Sequence, residues 1–417
     1  MPDRAAVAAA VADAHRREWG FVLAATVRVT RDLDLAEECV QEAYAEALRT
    51  WDERGIPTVP GAWLTTTARR RALDLLRRDS TLTRLLPKLV TDETSGDPAE
   101  VDVDAIPDDR LRLICTCCHP ALAPEARVAL TLRLVCGLST ADVARAFLVS
   151  EPTMAARITR AKKKIAVAGI PYRVPPVDEL PERLAAVLDV IHLVFTTGHT
   201  APSGAELVRR DLVERALELA RVLRSLLPES ADVAGLLALV LLTDARRRTR
   251  VATDGTLLPL AEQDRAQWDA AEIEEGLGLV REALTRRPPS RYALQAAIAA
   301  VHAEASSYAE TDWAQVVGLY DVLGQVWRSP VVALNRAVAV SFADGPEAGL
   351  AELEGLAGEP LLATYPYLAA SRADCLRRLG RVEEAREAFA EALLLTDNEV
   401  ERRFLQGRLD GLGSAGP

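Results

Sequence analysis

Two short stretches of this chain carry a local excess of positive charge, and guanidinium and ammonium groups repeated along a helix are what neutralising backbone phosphates requires. The first stretch, Gly61 to Arg84, holds six arginines against two aspartates, a local +4, with Arg69, Arg70, Arg71, Arg77 and Arg78 at its centre. The second, Arg145 to Lys164, holds six basic residues with Glu151 as its one acid. Either could face nucleic acid. The first, taken alone, could equally lie on lipid or bind a partner helix.

Other chemistry is thinly represented. Cys115-Thr-Cys-Cys-His119 is the one cluster with metal-ligand character. Its spacing is poor for zinc, because ligands at adjacent helical positions diverge, no second pair lies nearby and Pro120 follows at once. Small buried cysteines opening a helical domain are the simpler reading, with zinc or redox sensing as the alternative. His192, His199 and His302 are scattered, without a His-Glu-x-x-His pattern, and no glycine-rich phosphate loop follows a strand. Nothing here equips an enzyme, and no cofactor or metal is implied. Gly198 to Gly204 and Thr243 to Arg248 interrupt apolar helices; they could line a ligand groove, although turns or helix ends explain them as well.

The elements that must carry the basic residues are helices. Ahead of the first stretch, Leu35, Val40, Tyr44, Ala47, Leu48 and Trp51 recur every three or four residues as one apolar face. Glu37, Glu38, Gln41, Glu42 and Glu46 fall on the opposite face. A loop with Gly55, Pro57 and Pro60 follows, and then a helix whose buried stripe is Trp63, Leu64, Ala68, Leu73 and Leu76. In the second stretch, Ser139 with Asp142 forms a near capping box, and Ser150 before Glu151 and Pro152 opens another helix. Two helices joined this tightly, with Val143, Ala144, Val149, Met154 and Ile158 inside, have helix-turn-helix spacing.

Composition sets the frame. At 417 residues the chain exceeds the ~250 residues that one core usually serves. Aromatics supply only 5%, while Ala, Leu, Arg and Glu dominate, so the fold class is all-α. The net charge of -11 argues against general coating of nucleic acid, though not against local basic surfaces. Six cysteines without a pairing pattern, and no charged-then-apolar leader over Met1 to Ala10, point to the cytoplasm. Gly235 to Leu242, the most apolar run, is too short to cross a bilayer and reads as a buried helix, so no membrane partner is expected.

Charge and proline content divide the chain into a helical block over 8–81, a linker over 82–110, a second helical block over 111–167, a proline-rich linker over 168–181 and a helical extension over 182–412. Thr91 to Arg110 carries eight acidic residues against one arginine, with no apolar face to bury. In the extension, Ala373, Gly380, Ala385, Phe389 and Ala392 fit the small, turn and aromatic positions of a tetratricopeptide unit, with Asp397 where the closing proline is usual. Val331 to Glu359 repeats that hairpin pattern more loosely, with Gly345 and Pro346 at its turn.

Leu-Ala-Glu-Glu-Cys-Val-Gln-Glu, followed by Gly-Ala-Trp-Leu and Ala-Leu-Asp-Leu-Leu-Arg-Arg, resembles region 2 of extracytoplasmic-function sigma factors of RNA polymerase. The segment Leu138 to Ile165 resembles sigma region 4. The whole is similar to the branch that bears a long tetratricopeptide-like C-terminal extension. This resemblance implies core RNA polymerase and promoter DNA as partners. Glu37, Glu38, Gln41 and Glu42 would dock on the β′ clamp, and Pro124 to Cys136 would face the β flap. Arg69, Arg70, Arg71, Arg77 and Arg78, with the loop Asp52 to Gly61, would open and hold the minus-ten strand. Glu151, Thr153, Ala155 and Ala156 would face minus-thirty-five base edges, while Arg157, Arg160, Lys162, Lys163 and Lys164 hold phosphates.

Two departures from the family pattern stand out. Arg70 occupies a position where the family often has Asn, and Ala155 and Ala156 replace longer polar side chains. Direct base readout is therefore expected to be sparse, with DNA shape carrying more. The fused extension would offer a concave surface for a protein or small-molecule regulator. Rival readings are a DNA-binding activator with a helical sensor domain, for which the Glu37 to Glu42 face is dispensable, and an interaction scaffold without promoter selectivity.

Overall fold

A computed structural model of the chain describes residues 4–85, 106–147, 149–176, 179–285 and 287–412. Most of the acidic linker expected over 82–110 lies outside the described residues. Among those described there are eighteen α-helices, and the sheet content is a two-residue parallel pair, Ser203–Gly204 with Asp397–Asn398. The all-α expectation holds. Two compact units divide at Val190 and Ile191, inside the helix Leu180–His199.

The first unit opens with three helices packed on one another, α1 (Arg4–Thr30), α2 (Leu33–Arg54) and α3 (Pro60–Leu85). Asp32 caps α2, its carboxylate accepting from the amides of Asp34 and Leu35, and Gly55 ends it at a φ of 86°, a conformation that suits glycine. The buried face of α2 is Leu33, Ala36, Cys39, Val40, Ala43, Tyr44, Ala47 and Trp51. Leu48, expected on that face, points outward, as does Leu73 of α3. Leu64, Ala68 and Ala72 of α3 are fully buried, and the two alanines allow its close approach.

Four more helices follow, α4 (Ile106–Cys117), α5 (Pro124–Leu130), α6 (Thr140–Ala146) and α7 (Glu151–Val167), with a π-helical turn at Thr131–Val135 continuing α5. They pack on the first three. The indole of Trp19 donates to the carbonyl of Leu134 at 3.1 Å. A Cβ at Gly20 would meet the Val135 carbonyl oxygen at 2.4 Å, and one at Gly137 would strike the Trp19 ring at 2.7 Å. Tyr172, in the proline-rich segment expected to act as a linker, donates to the carbonyls of Ala24 at 2.8 Å and Asp109 at 3.1 Å. That segment is pinned at this residue.

The helix α8 (Leu180–His199) leads into the second unit, in which consecutive helices pair as hairpins: α9 (Arg210–Leu226), α10 (Ala231–Asp244), α11 (Ala270–Leu284), α12 (Arg291–Glu304), α13 (Trp313–Val326), α14 (Pro330–Ala343), α15 (Pro346–Gly355), α16 (Pro366–Arg378), α17 (Val382–Leu395) and α18 (Glu399–Gly411). The apolar run Gly235 to Leu242 lies in α10, which is buried nearly all round; Gly235 lets the backbone of Ala293 approach to where a Cβ would be 2.6 Å away. No described helix is long and apolar enough to cross a membrane. Ala373, Ala385, Phe389 and Ala392 are buried where α16 packs on α17, with Gly380 at a φ of 74° between them.

Candidate nucleic-acid interface

Helix α3 presents arginines in two states. Arg70 and Arg78 are exposed and Arg69 is half-buried; among the described residues none of the three makes an ion pair or a side-chain hydrogen bond. Arg77 lies 3.9 Å from Asp74, a weak contact between exposed groups. Arg71 is different. It forks onto Glu42 of α2 through Nε and Nη2, the latter at 3.1 Å, and that carboxylate holds its guanidinium above the ordinary arginine value. Arg71 and Glu42, expected to serve separate partners, are joined to each other.

Upstream of α3, the loop exposes Ile56 and Val59, apolar side chains that periodicity passed over because they belong to no helix. Trp63 stacks edge-on against the buried Trp51, ring centroids 5.6 Å apart, and thereby anchors the loop to α2. The hydroxyls of Thr65, Thr66 and Thr67 donate to carbonyls one turn back, at 2.8, 2.9 and 2.9 Å. They are occupied within the helix.

The helix-turn-helix forms as its caps prescribe. Ser139 accepts from the amide of Asp142 at 3.1 Å while the Asp142 carboxylate accepts from the Ser139 amide at 3.3 Å, a complete capping box. Ser150 caps α7 through the Thr153 amide at 3.4 Å. Met154, Ile158, Ala161 and Ile165 bury one stripe of α7, which leaves Glu151, Thr153, Ala155, Ala156, Arg160, Lys163 and Lys164 exposed on the rest. Arg157 lies over the Phe147 ring at 5.4 Å and is half-buried. Among the described residues Arg160, Lys163 and Lys164 make no ion pair.

Lys162 and Glu37 depart from the exposed positions expected of them. Glu37 is 7% exposed and binds Arg133 and Lys162, the latter at 2.7 Å. Lys162 also reaches Asp34 at 2.7 Å. Burial alone would push the Lys162 ammonium down, but its hydrogen bonds to Asp34 and Glu37 outweigh that and hold it above the usual lysine value. Glu38 and Gln41 stay exposed and Glu42 is half-buried.

The thiols of Cys115, Cys117 and Cys118 are buried. Desolvation pushes Cys115 up to about 11, Cys118 up to about 12 and Cys117 well above its ordinary value. They stay protonated, the state least suited to metal binding or thiolate chemistry. His119 uses Nδ1 to accept from the Ala121 amide at 3.1 Å, and no group of three potential metal ligands occurs among the described residues.

Comparison with known families places three matches along the chain. The description "Sigma-70 region 2" fits residues 15–81 and "Sigma-70, region 4" fits residues 113–165. Residues 183–284 match a family of unknown function (DUF6596). An uncharacterized protein of Rhizobium meliloti is 43% identical over 396 residues, 94% of this chain and 93% of its own length. A probable ECF RNA polymerase sigma factor of Mycobacterium tuberculosis, SigI, is 29% identical over 175 residues, covering 40% of this chain and 58% of that protein.

Proposed function

The chain belongs to the sigma-70 family, as a factor of the extracytoplasmic-function type with a C-terminal extension, and from that membership we propose that it joins core RNA polymerase and directs promoter melting and initiation. The observation that carries this reading is the order of its two nucleic-acid surfaces. Arg69, Arg70 and Arg78 on α3, which make no ion pair among the described residues, lie within the region 2 match, and the exposed face of a capped helix-turn-helix lies within the region 4 match.

In this reading Arg69, Arg70, Arg77 and Arg78 meet phosphates of the opened minus-ten strand, and exposed Ile56 and Val59 offer apolar contact to an unstacked base. Glu151, Thr153, Ala155 and Ala156 face minus-thirty-five bases while Arg157, Arg160, Lys163 and Lys164 hold the backbone. Glu38, Gln41 and Glu42 supply the clamp contact. Glu37 and Lys162 join these surfaces only after their mutual pair opens, so the free chain is held in a less active state. The extension, with the hairpins α14–α15 and α16–α17 as its proposed tetratricopeptide-like units, acts as a fused regulator in the cytoplasm.

Run-off transcription with purified bacterial core polymerase tests the reading on promoter fragments that include the chain's own upstream region. Discrete starts that need both proteins, and that vanish with Arg69→Glu plus Arg77→Glu, are expected. DNA binding without initiation, unless another sigma factor is added, would replace it with the activator reading.

A further inference from the structure

In an open stack of helical hairpins each unit touches its neighbours, so the first and last stay apart. The second unit does otherwise. Its helices α9 to α18 pack one on the next in chain order, and yet the loop after α8, residues 200–209, meets the turn that opens α18. Ser203–Gly204 pairs in parallel with Asp397–Asn398. The front of the array is thereby joined to its end.

Asn398 stands at the centre of that junction and is fully buried. Its Nδ2 donates to the carbonyl of Ala201, 197 residues earlier, at 3.0 Å and to that of Glu206 at 2.9 Å. Its Oδ1 accepts from the amides of Val400 at 3.0 Å and Glu401 at 3.3 Å, which caps α18. One side-chain amide thus spends its donors on the front of the array and its acceptor on the last helix. Other contacts flank it. The Ala201 amide donates to the Leu207 carbonyl at 2.8 Å and closes the loop on itself. Arg250 donates to the His199 carbonyl and, at 2.9 Å, to Thr200 Oγ1. On α18, Arg408 reaches Glu262 at 3.1 Å, and a Cβ at Gly255 would stand 3.3 Å from the Arg403 guanidinium.

Successive hairpins are joined by apolar packing. One buried cluster runs from Ala238 to Ala300, the next from Leu294 to Ala339 and a third from Leu334 to Leu405, so that neighbouring clusters share α12 and then α14. Leu405 anchors α18 in the last of them. Across the seam between the ends lie a two-residue strand pair, the Asn398 amide and an ion pair between partly exposed groups. Hydrogen bonds exchanged with water contribute only about 0.5–1.5 kcal/mol each, and exposed ion pairs less. Segments held in this way open before packed cores do.

We propose that the second unit is a closed circuit of helices clasped by Asn398, and that it opens reversibly at this seam while its hairpins stay folded. Opening frees the loop 200–209 from α18, which remains anchored through Leu405. It gives the fused regulator of the proposed function two states to shift between. That use of the seam rests on the proposed function, whereas the seam itself lies within the second unit and is tested without transcription.

Hydrogen exchange of the full chain, read by mass spectrometry at neutral pH, is the test. Asn398→Ser keeps a capping residue of similar strength for α18 and lacks the two amide donors. It should speed exchange in residues 200–209 by about tenfold or more, leaving α12 and α14 at wild-type rates. Arg386→Gln, which removes an exposed contact with Glu383 on α17, should leave all three segments unchanged. A second variant works from the other direction. Ser203→Cys with Asp397→Cys joins residues already paired in register, and its oxidised form should slow exchange in 200–209 relative to the same protein reduced. The clasp is overturned by wild-type rates for 200–209 in a folded Asn398→Ser, or by equal acceleration of α12 in that variant. Should Asn398→Ser fail to fold, the staple decides: failure to form the disulfide, or exchange in 200–209 that is the same oxidised and reduced, equally overturns it.

Discussion

The ammonium of Lys162 on α7 lies 2.7 Å from the carboxylate of Glu37 on α2, 125 residues earlier in the chain. Arg133 holds the other oxygen of that carboxylate, so one acidic side chain binds two cations that come from the region 4 match. Each partner satisfies in the other a charge that the proposed function would direct to polymerase or to DNA.

Replacing Lys162 with Glu puts like charges together in a nearly water-free contact while Arg133 still holds Glu37. Removing one partner of a buried pair costs about 3–5 kcal/mol. Urea unfolding should read that loss, and binding to core polymerase, followed by fluorescence anisotropy, should strengthen as the two surfaces part. Unchanged polymerase affinity with the expected loss of stability would show that the pair only holds the fold.

Gly20 tests the same packing without touching a charge. A methyl group there would stand 2.4 Å from the Val135 carbonyl oxygen, backbone that cannot swing aside. Gly20→Ala should destabilise the first unit by about 1–3 kcal/mol, the range for overpacking, as measured by denaturant midpoint. It should also move polymerase affinity in the same direction as Lys162→Glu.

Neighbouring arginines on α3 should behave differently. Arg70→Ala removes an exposed guanidinium that has no ion-pair partner among the described residues, so it should weaken binding to a single-stranded minus-ten oligonucleotide and lower the slope of log affinity against log salt by about 1. Arg71→Ala removes a guanidinium already forked onto Glu42. Its salt slope should stay near wild type, with the loss appearing as stability instead. Equal slopes for the two variants would mean that the Glu42 pair opens on DNA.

What the sequence disclosed and what it concealed follow from the range of each interaction. Ser139 and Asp142 are three residues apart, and the capping box they suggest is present because a cap is a local device. The apolar stripe of α2 was legible through Val40, Tyr44 and Trp51. Leu48 was misplaced because a helix can hold more apolar residues than its neighbours cover. Glu37 looked like part of a solvated face, and its burial depends on Arg133 and Lys162, residues that local periodicity cannot reach. Tyr172 sits among prolines that signal a break, while its hydroxyl is held by carbonyls 148 and 63 residues away.

The second unit should lose stability in acid through His192. Its ring lies edge-on to Tyr292 at 5.5 Å, and burial pushes its pKa from 6.5 down to about 4. The depressed value means that the unfolded chain binds the proton more readily. Stability from this residue is therefore complete above about 6.5 and is lost as pH falls toward 4, a loss of about 3 kcal/mol in full. Half-buried Glu272, raised to about 7 chiefly by desolvation, contributes in the opposite sense, because its neutral form is the one the fold favours. A single wild-type curve would mix the two. Unfolding free energies at pH 7.0 and about pH 4.5 should thus be compared between wild type and His192→Leu, a change that keeps an apolar body of similar size and cannot titrate. The difference between the proteins should shift in favour of His192→Leu at the lower pH; parallel curves would mean that His192 gains a proton in the folded protein as easily as in the unfolded chain.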